Sequence, residues 1–402
     1  MKNILFVDDD PKILDEFQKA LRPQQDKWEM VFALGAESAL GLLEANSFDV
    51  VVSDMEMPGM DGGTLLKRVR EIRPDAVRIM LGGRSDIESA LRASSVAHQF
   101  LMKPCDLTAL RVAIGRATNL SEVLNTSMVT RIVGPVQQLP ALPRTYSALQ
   151  SALSDPGISL DKVAGIIEKD VTVSAKILQL ANSTLFGSRE TIATVQTAVS
   201  YLGINLVRQL TLSAEAFYLF EGTARIAGFS LEEIYSHSQL TARIAGRIRA
   251  SDLLPEAPVV AGLLHDIGKL VLASQIPRNF SQVLAMAKEQ KRPLHEVEYE
   301  TWGLSHAEIG AYLLGLWGMP CVVVEAVAHH HRIDKQLHYK LDTVAGLHLA
   351  NILAHEQSAK LHGHPEIPHD PIDQEYLELL GVADRLEEWE TAAEEASQAL
   401  AV

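Results

Sequence analysis

The sequence predicts a multidomain chain: an α/β unit built on a doubly wound parallel sheet, followed by an all-α unit of short helices. Three observations lead there. At 402 residues the chain is longer than one hydrophobic core usually serves. Over residues 1–118 short apolar runs alternate with helical stretches, the pattern of a parallel sheet covered by helices. From Thr145 to about Ala359 nearly every segment has helical spacing and strand signals are scarce.

Composition narrows the function classes. Hydrophobic residues make up 47% of the chain, enough for packed cores and too much for a disordered one. The net charge of −15 argues against a broad nucleic-acid surface, so no direct DNA binding is expected. Cys105 and Cys321 lie far apart without ligand-type spacing, which speaks against a disulfide framework or a zinc finger. The start, Met1 to Asp10, has only a short apolar run before three acids and fails as a signal peptide; no run approaches ~18 apolar residues. A cytoplasmic location without a membrane span is expected.

In the first unit, Ile4-Leu-Phe-Val7 reads as a buried strand ended by Asp8-Asp9-Asp10, with a helix over Pro11 to Leu21. Phe48 to Ser53, Val77 to Leu81 and His98 to Met102 read as three further strands. Ligands of such a sheet sit beyond the carboxyl ends of its strands, where Asp8, Asp9, Asp54 and Lys103 all fall. Clustered carboxylates repel one another, and Mg²⁺ relieves that repulsion while keeping several waters. A site of this kind also accepts a phosphoryl group: the cation shields the incoming charge, Asp54 is the nucleophile, and Lys103 pairs with the phosphoryl oxygens. The bland alternative is a set of solvated loop acids, which three acids and a lysine gathered at strand ends make a poor explanation.

Phe6-Val-Asp-Asp-Asp10, Val52 to Gly62 and Phe100-Leu-Met-Lys-Pro104 make this part resemble the response-regulator receiver family over roughly its first 118 residues. The resemblance implies Asp54 as phosphoacceptor, Mg²⁺ held by Asp8 and Asp9 with the Met55 carbonyl, Lys103 on the phosphoryl group, and Phe100 as the aromatic that reorients on activation. It also implies a sensor histidine kinase as partner. One departure stands out: Gly82-Gly83 occupies the place of the family's Ser or Thr, whose hydroxyl bonds the phosphoryl oxygen. A hydrogen bond to a charged group contributes ~1.5–3 kcal/mol, so weak switching is expected unless Ser85 substitutes.

Residues 119–135 read as a helical linker, continuing an apolar stripe from Leu107 that also offers a surface for homodimerisation, and Gly134-Pro135 marks its end. The all-α unit is assigned to residues 136–359, with short helices over Leu160 to Ile167, Val171 to Ala181, Thr194 to Leu202 and Asn205 to Leu219, and a capped turn at Asn182 to Gly187. Residues 360–402 are expected to be a loop followed by an acidic helical tail without activity of its own.

Ala261 to Leu272 sets His265 and Asp266 inside an otherwise apolar helical run. Burying an unpaired carboxylate costs several kcal/mol, so Asp266 needs a hydrogen bond, an ion pair or a cation. Neighbours ~100° apart on a helix can reach one divalent ion between them, although a satisfied core pair explains the same pattern. Further candidates accumulate nearby: His237, His306, His329-His330-His331, His348, Asn351 and His355. Imidazole suits Zn, Fe or Ni, and added carboxylate shifts the preference towards Fe or Mn. His348 and His355 are expected to be surface or packing residues, and the triple His a partly solvated helix end.

Leu139 to Pro143, Ile167 to Asp170, Leu178 to Ser183, Ala198 to Gly203, Leu263-Leu-His-Asp-Ile-Gly-Lys269 and Ala328 to His331 make residues 130–335 resemble the HDOD family, a divergent branch of the HD metal-dependent phosphohydrolases. The resemblance implies His237, His265 and Asp266 as metal ligands, with His306, His330 and His331 as further candidates and Lys269 contacting a phosphate. The late Asp of active HD enzymes is Asn351 here, and the Gly-Tyr-Pro element of cyclic di-GMP phosphodiesterases is absent. The expected function is therefore a two-component response regulator phosphorylated on Asp54, controlling a non-catalytic output that binds a protein or nucleotide partner, a cyclic di-GMP signalling protein among the candidates. The competing expectation is a metal-dependent phosphodiesterase acting on a cyclic dinucleotide or nucleotide.

Overall fold

The structure, a computed structural model, describes residues 1–82, 96–103, 107–123, 127–136, 140–141, 143–153, 155, 157–182, 192–204, 206–207, 218–219, 226–248, 256–335, 338–362 and 367–401. Strands β1 (Lys2–Asp8), β2 (Trp28–Leu34), β3 (Val50–Asp54), β4 (Val77–Gly82) and β5 (Gln99–Met102) form one parallel sheet in the order β2-β1-β3-β4-β5. Helices α1 (Pro11–Leu21), α2 (Gly35–Ala45) and α3 (Gly62–Ile72) cover it. The strand order reverses between β1 and β3, which pair Ile4 with Val50 and Val7 with Ser53. That switch point brings the ends of β1 and β3, and hence Asp8 and Asp54, side by side. The sequence reading found four of these strands and missed β2. Its Trp28 and Ala33 are buried, but Met30 to Phe32 are only half-buried at the sheet edge, so neither a clean alternation nor a continuous buried run marks it.

Beyond the sheet the described residues are almost wholly helical: α4 (Leu107–Val123), α5 (Ser127–Val133), α6 (Pro143–Leu153), α7 (Leu160–Ile167), α8 (Val171–Asn182) and α9 (Val195–Leu202) lead into the second half. There follow α10 (Leu231–Arg247), α11 (Ala257–Leu264), α12 (Ile267–Gln275), α13 (Pro277–Gln290), α14 (Leu294–Trp302), α15 (His306–Leu316), α16 (Cys321–His329) and α17 (Thr343–His362). The tail forms α18 (Gln374–Leu380) and α19 (Leu386–Ala401). Where a helix was expected up to Leu219, Tyr218–Leu219 is instead a short strand paired in parallel with Pro140–Ala141. The expected turn at Asn182 to Gly187 lies outside the described residues beyond its first position.

The stretch expected to be one helix around His265 is two. α11 ends at Leu264, Asp266 has φ −93° and ψ 8°, and α12 starts at Ile267. The break turns both polar side chains inward. Ala257–Gln275 is long and apolar enough to cross a membrane, yet 83% of it is buried inside the fold. The acidic tail also belongs to the core: Trp389 and Ala393 of α19 pack with Ile244 and Ile248 at the end of α10 and with Leu353 of α17.

The two units share packing. Leu110 and Ile114 of α4 lie in the same buried cluster as Tyr312 of α15, and α15 packs along both α4 and α5. Arg78 on β4, 1% exposed, donates from Nη2 to the Gly134 carbonyl (2.8 Å) and from Nε to the Val96 carbonyl (2.7 Å), while the His98 ring stands 3.2 Å away. Burial pulls the Arg78 pKa down to about 9. Gln179 of α8 donates to the His98 carbonyl at 3.4 Å.

Candidate functional site

At the carboxyl end of the sheet, Asp8 and Asp54 are buried and Asp9 is exposed. Each offers a carboxylate oxygen within 4.8 Å of the other two. Lys103, just after β5, donates to Asp54 Oδ1 (2.7 Å) and Asp8 Oδ2 (2.8 Å). Burial raises the Asp54 pKa while the Lys103 ammonium opposes it. Asp10, read in the sequence only as a third acid, caps α1 by accepting from the Lys12 amide (2.8 Å), and its own amide donates to Asp8 Oδ1 (2.9 Å). The Met55 carbonyl accepts from the Gly62 amide at 2.9 Å and keeps a second lone pair. Position 82 is closed by Met55: a Cβ there would stand 2.8 Å from the Met55 methyl. Ser85 and the Phe100 side chain lie outside the described residues.

The second cluster gathers around Asp266. His265 and Asp266 come from the α11–α12 break, His237 from α10, His306 from the first turn of α15, and His330 and His331 from the end of α16. Gly268 makes the approach possible, since a Cβ on it would lie 1.9 Å from the His306 carbonyl oxygen. His306 Nε2 is 3.3 Å and His330 Nε2 4.0 Å from Asp266 Oδ1; His265 Nε2 is 3.5 Å from Asp266 Oδ2. Lys269, one turn on, donates to Asp266 Oδ2 at 2.7 Å.

The ring orientations share a logic. Nδ1 of His265 meets the Gly262 carbonyl (2.7 Å), that of His330 the Val327 carbonyl (2.7 Å), that of His306 the Glu298 carboxylate (2.6 Å) and that of His331 the Asp370 carboxylate (3.0 Å). With Nδ1–H donated outward, each Nε2 is left facing the cluster, as metal-ligating histidines are fixed. Burial holds His265, His330 and His331 below the ordinary histidine range, and His237 down to about 3, so these rings are neutral at neutral pH and each keeps one unprotonated nitrogen. His306 differs: burial opposes its charge, but the Glu298 carboxylate beside it raises its pKa. Burial likewise works against Asp266, yet Lys269 and the imidazoles hold its carboxyl well below the usual range.

Among the described residues, Asp266 Oδ1, His265 Nε2 and His330 Nε2 are buried without a hydrogen-bond partner; the 3.3 Å approach of His306 Nε2 to Asp266 becomes one only when that ring is doubly protonated. The ligand atoms of His237, His265 and Asp266 lie within 4.8 Å of one another, as do those of His306, His330 and His331; orphaned buried acceptors in such groups are costly unless a cation sits among them. The donor set of imidazoles plus carboxylate fits Zn, Fe or Mn. Asn351 Oδ1 lies 2.8 Å from His237 Nε2, so the residue in the late acidic position touches the first histidine. His348 is a packing residue, its Nδ1 on the His330 carbonyl (2.8 Å), whereas His355 stacks on His237 at 4.1 Å and lines the cavity. Of the triple His only His329 is exposed.

A cavity of about 230 Å³ opens over the cluster, lined by the apolar Phe229, Phe280 and Leu294 together with Asp266 and Lys269. Its rim includes residues the sequence reading did not single out: His295, His369 and Asp370, the last with its pKa pushed up to about 6 by burial. Glu298, fully buried behind His306, was also missed. Buried acids far apart in sequence give no spacing signal, and Glu298 is one of three glutamates alternating along Leu294–Trp302, with nothing to set it apart.

A receiver sheet with an acid cluster, joined to a helical unit with an HD pair at its centre, defines a response regulator. The chain belongs to those whose second domain is HDOD: residues 4–115 match the response regulator receiver domain and residues 139–333 the HDOD domain. It is similar to the MmoQ response regulator of Methylococcus capsulatus, at 25% identity and TM-score 0.52 over 63% of this chain and 98% of that one. Among curated proteins it is similar to an uncharacterized protein of Treponema pallidum (24% identity over 228 residues, 57% of this chain and 44% of that protein). It also resembles the transcriptional regulatory protein GlrR of Escherichia coli (32% over 120 residues, 30% of this chain and 27% of that protein). The chain thus spans less than half the length of either curated relative.

Proposed function

We propose that this protein is a phosphorylation-controlled regulator whose HDOD domain works through a metal-holding pocket that binds a phosphate-bearing nucleotide partner. In this reading Asp54 accepts a phosphoryl group from a sensor histidine kinase, Asp8 and Asp9 hold Mg²⁺ with it, and Lys103 neutralises the phosphoryl oxygens. His237, His265 and Asp266 hold a transition metal, Fe, Mn or Zn, together with His306, His330 and His331. Bound there, the metal supplies Lewis acidity towards phosphate oxygens. Lys269, paired with Asp266, adds positive charge to the cavity lining, and Asn351, neutral where an acid would tighten the metal, favours binding over turnover. The receiver spans residues 1–118, the linker 119–135, the HDOD unit 136–359 and the tail 360–402.

The observation that carries this reading is the trio of unpartnered buried atoms, Asp266 Oδ1, His265 Nε2 and His330 Nε2. Control by the receiver is supported by α15, which begins with His306 in the cluster and packs along α4 of the receiver. The test is equilibrium dialysis of cyclic di-GMP and of GMP against the full chain with and without Mn²⁺. Metal-dependent binding abolished by Asp266→Asn supports the reading; equal binding without metal overturns it.

A second reading, phosphodiester hydrolysis, is favoured by the place of Asp266. It lies between His265 on one side and His306 and His330 on the other, where one carboxylate can bridge two cations. Product formation in the same dialysis samples, lost in His265→Ala, would select it.

A further inference from the structure

Ile367, Pro368, His369 and Asp370 all line the cavity over the cluster. They follow α17 and lie past residue 333, where the HDOD match ends. His369 stacks on His355 (5.2 Å, planes 7° apart), which stacks on His237 (4.1 Å). Asp370 Oδ2 accepts from His331 Nδ1 at 3.0 Å, and Asp370 Oδ1 is 3.7 Å from His295 Nε2. On the opposite face of His331, Nε2 stands 3.1 Å from His306 Nε2.

We propose that this C-terminal segment completes the metal pocket, with Asp370 as the positioning residue that fixes His331 as a ligand. The carboxylate takes Nδ1–H, which leaves the Nε2 lone pair on the cluster side and makes the ring a stronger donor. Glu298, on α14, does the same for His306, and Asp370, past the end of the HDOD match, does it for His331.

His295, His331 and Asp370 also bring their ligand atoms close enough together to suggest a separate cation site. Ring geometry argues against it. The His295 and His331 rings are stacked 4.1 Å apart with planes only 10° from parallel, and imidazole lone pairs lie in the ring plane, so theirs run alongside each other instead of converging. A positioning role uses the one short contact, Asp370 to His331, and leaves His295 as a stacking partner.

The inference rests on the metal reading above, and its test separates the two. Mn²⁺ affinity of the full chain is measured by chelator competition for the wild type, Asp266→Asn, Asp370→Ala, Asp370→Asn, His331→Ala and the double variant Asp370→Ala/His331→Ala, with the metal-free melting temperature of each as a fold control. Asp370→Ala is expected to weaken Mn²⁺ about 10- to 100-fold, Asp370→Asn less, since its carbonyl still accepts, and the double variant no more than His331→Ala alone. A merely structural role would lower the metal-free melting temperature and add to the His331→Ala loss. Wild-type affinity in Asp370→Ala, with binding lost in Asp266→Asn, overturns the positioning role and leaves the metal reading intact. No Mn²⁺ bound by the wild type overturns both. Should Asp370→Ala fail to fold, Asp370→Asn carries the test, and wild-type affinity there overturns the role.

Discussion

Gly268 and His306 touch backbone to backbone: the space a Cβ would need on Gly268 is taken by the His306 carbonyl oxygen, 1.9 Å away, with the Gly310 amide nitrogen at 2.9 Å. α12 and α15 therefore cross at closest range at the point where Asp266 must reach His306. Gly268→Ala forces the helices apart. Overpacking of this kind costs about 1–3 kcal/mol, and because the contact is with backbone the upper end is expected, read as a lowered melting temperature together with weakened Mn²⁺ binding.

The Glu298 carboxylate raises the His306 pKa, and any proton on His306 Nε2 must leave before that nitrogen can bind a cation. Mn²⁺ binding is expected to release protons and to tighten as pH rises through the raised His306 pKa; calorimetry in buffers of different ionisation enthalpy measures the release. The sign for stability is opposite. The ion pair stabilises the metal-free fold fully below about pH 6.5 and that contribution is lost as pH climbs past the folded-state value. Glu298→Gln moves the metal-binding transition to lower pH.

Met55 and Gly82 are complementary, the thioether filling the space that a side chain at 82 would use. Gly82→Ser alone is expected to displace Met55, lower the melting temperature and leave the response to phosphodonor small. Gly82→Ser combined with Met55→Ala makes room for the hydroxyl. Given ~1.5–3 kcal/mol for a hydrogen bond to a charged group, it is expected to enlarge that response about tenfold, measured as the change in Mn²⁺ affinity.

Arg78 ties β4 to the linker through the Gly134 carbonyl and to β5 through His98. Arg78→Lys offers one compact ammonium in place of a planar fork. It cannot serve the Val96, Ala76 and Gly134 carbonyls together. Hydrogen exchange at residues 127–136 is expected to quicken in this variant while the sheet amides stay protected.

Much of this was legible beforehand because the chemistry lies in short stretches. Asp8-Asp9, Asp54 and Lys103 each close a strand of strong apolar pattern, so their meeting follows from sheet topology alone. His265-Asp266 stood out as polarity inside an apolar run. What stayed hidden depends on where helices cross. His306, His330 and His331 were only weakly marked because nothing in α15 or α16 says which end faces α12, and Gly268 acquires meaning only once His306 is seen against it. Glu298 and Asp370 act through other side chains, at separations of 8 and 39 residues from the histidines they hold. The helix break at Asp266 was hidden because the apolar run continues on both sides of it, Val259 to Leu264 and Ile267 to Leu272, with no proline between to mark a stop.

The central claim is that the charge on Asp54 is felt at the histidine cluster, through α4 and α15. Mn²⁺ affinity of the full chain, measured with and without beryllofluoride as a phosphoryl mimic, tests it most directly. Coupling between sites is commonly about 5- to 150-fold, and with Gly82 in place of a hydroxyl the lower end is expected, about fivefold in the wild type and none in Asp54→Ala. Identical affinities in the wild type with and without the mimic, under conditions where Asp54 is shown to be occupied, would contradict the account.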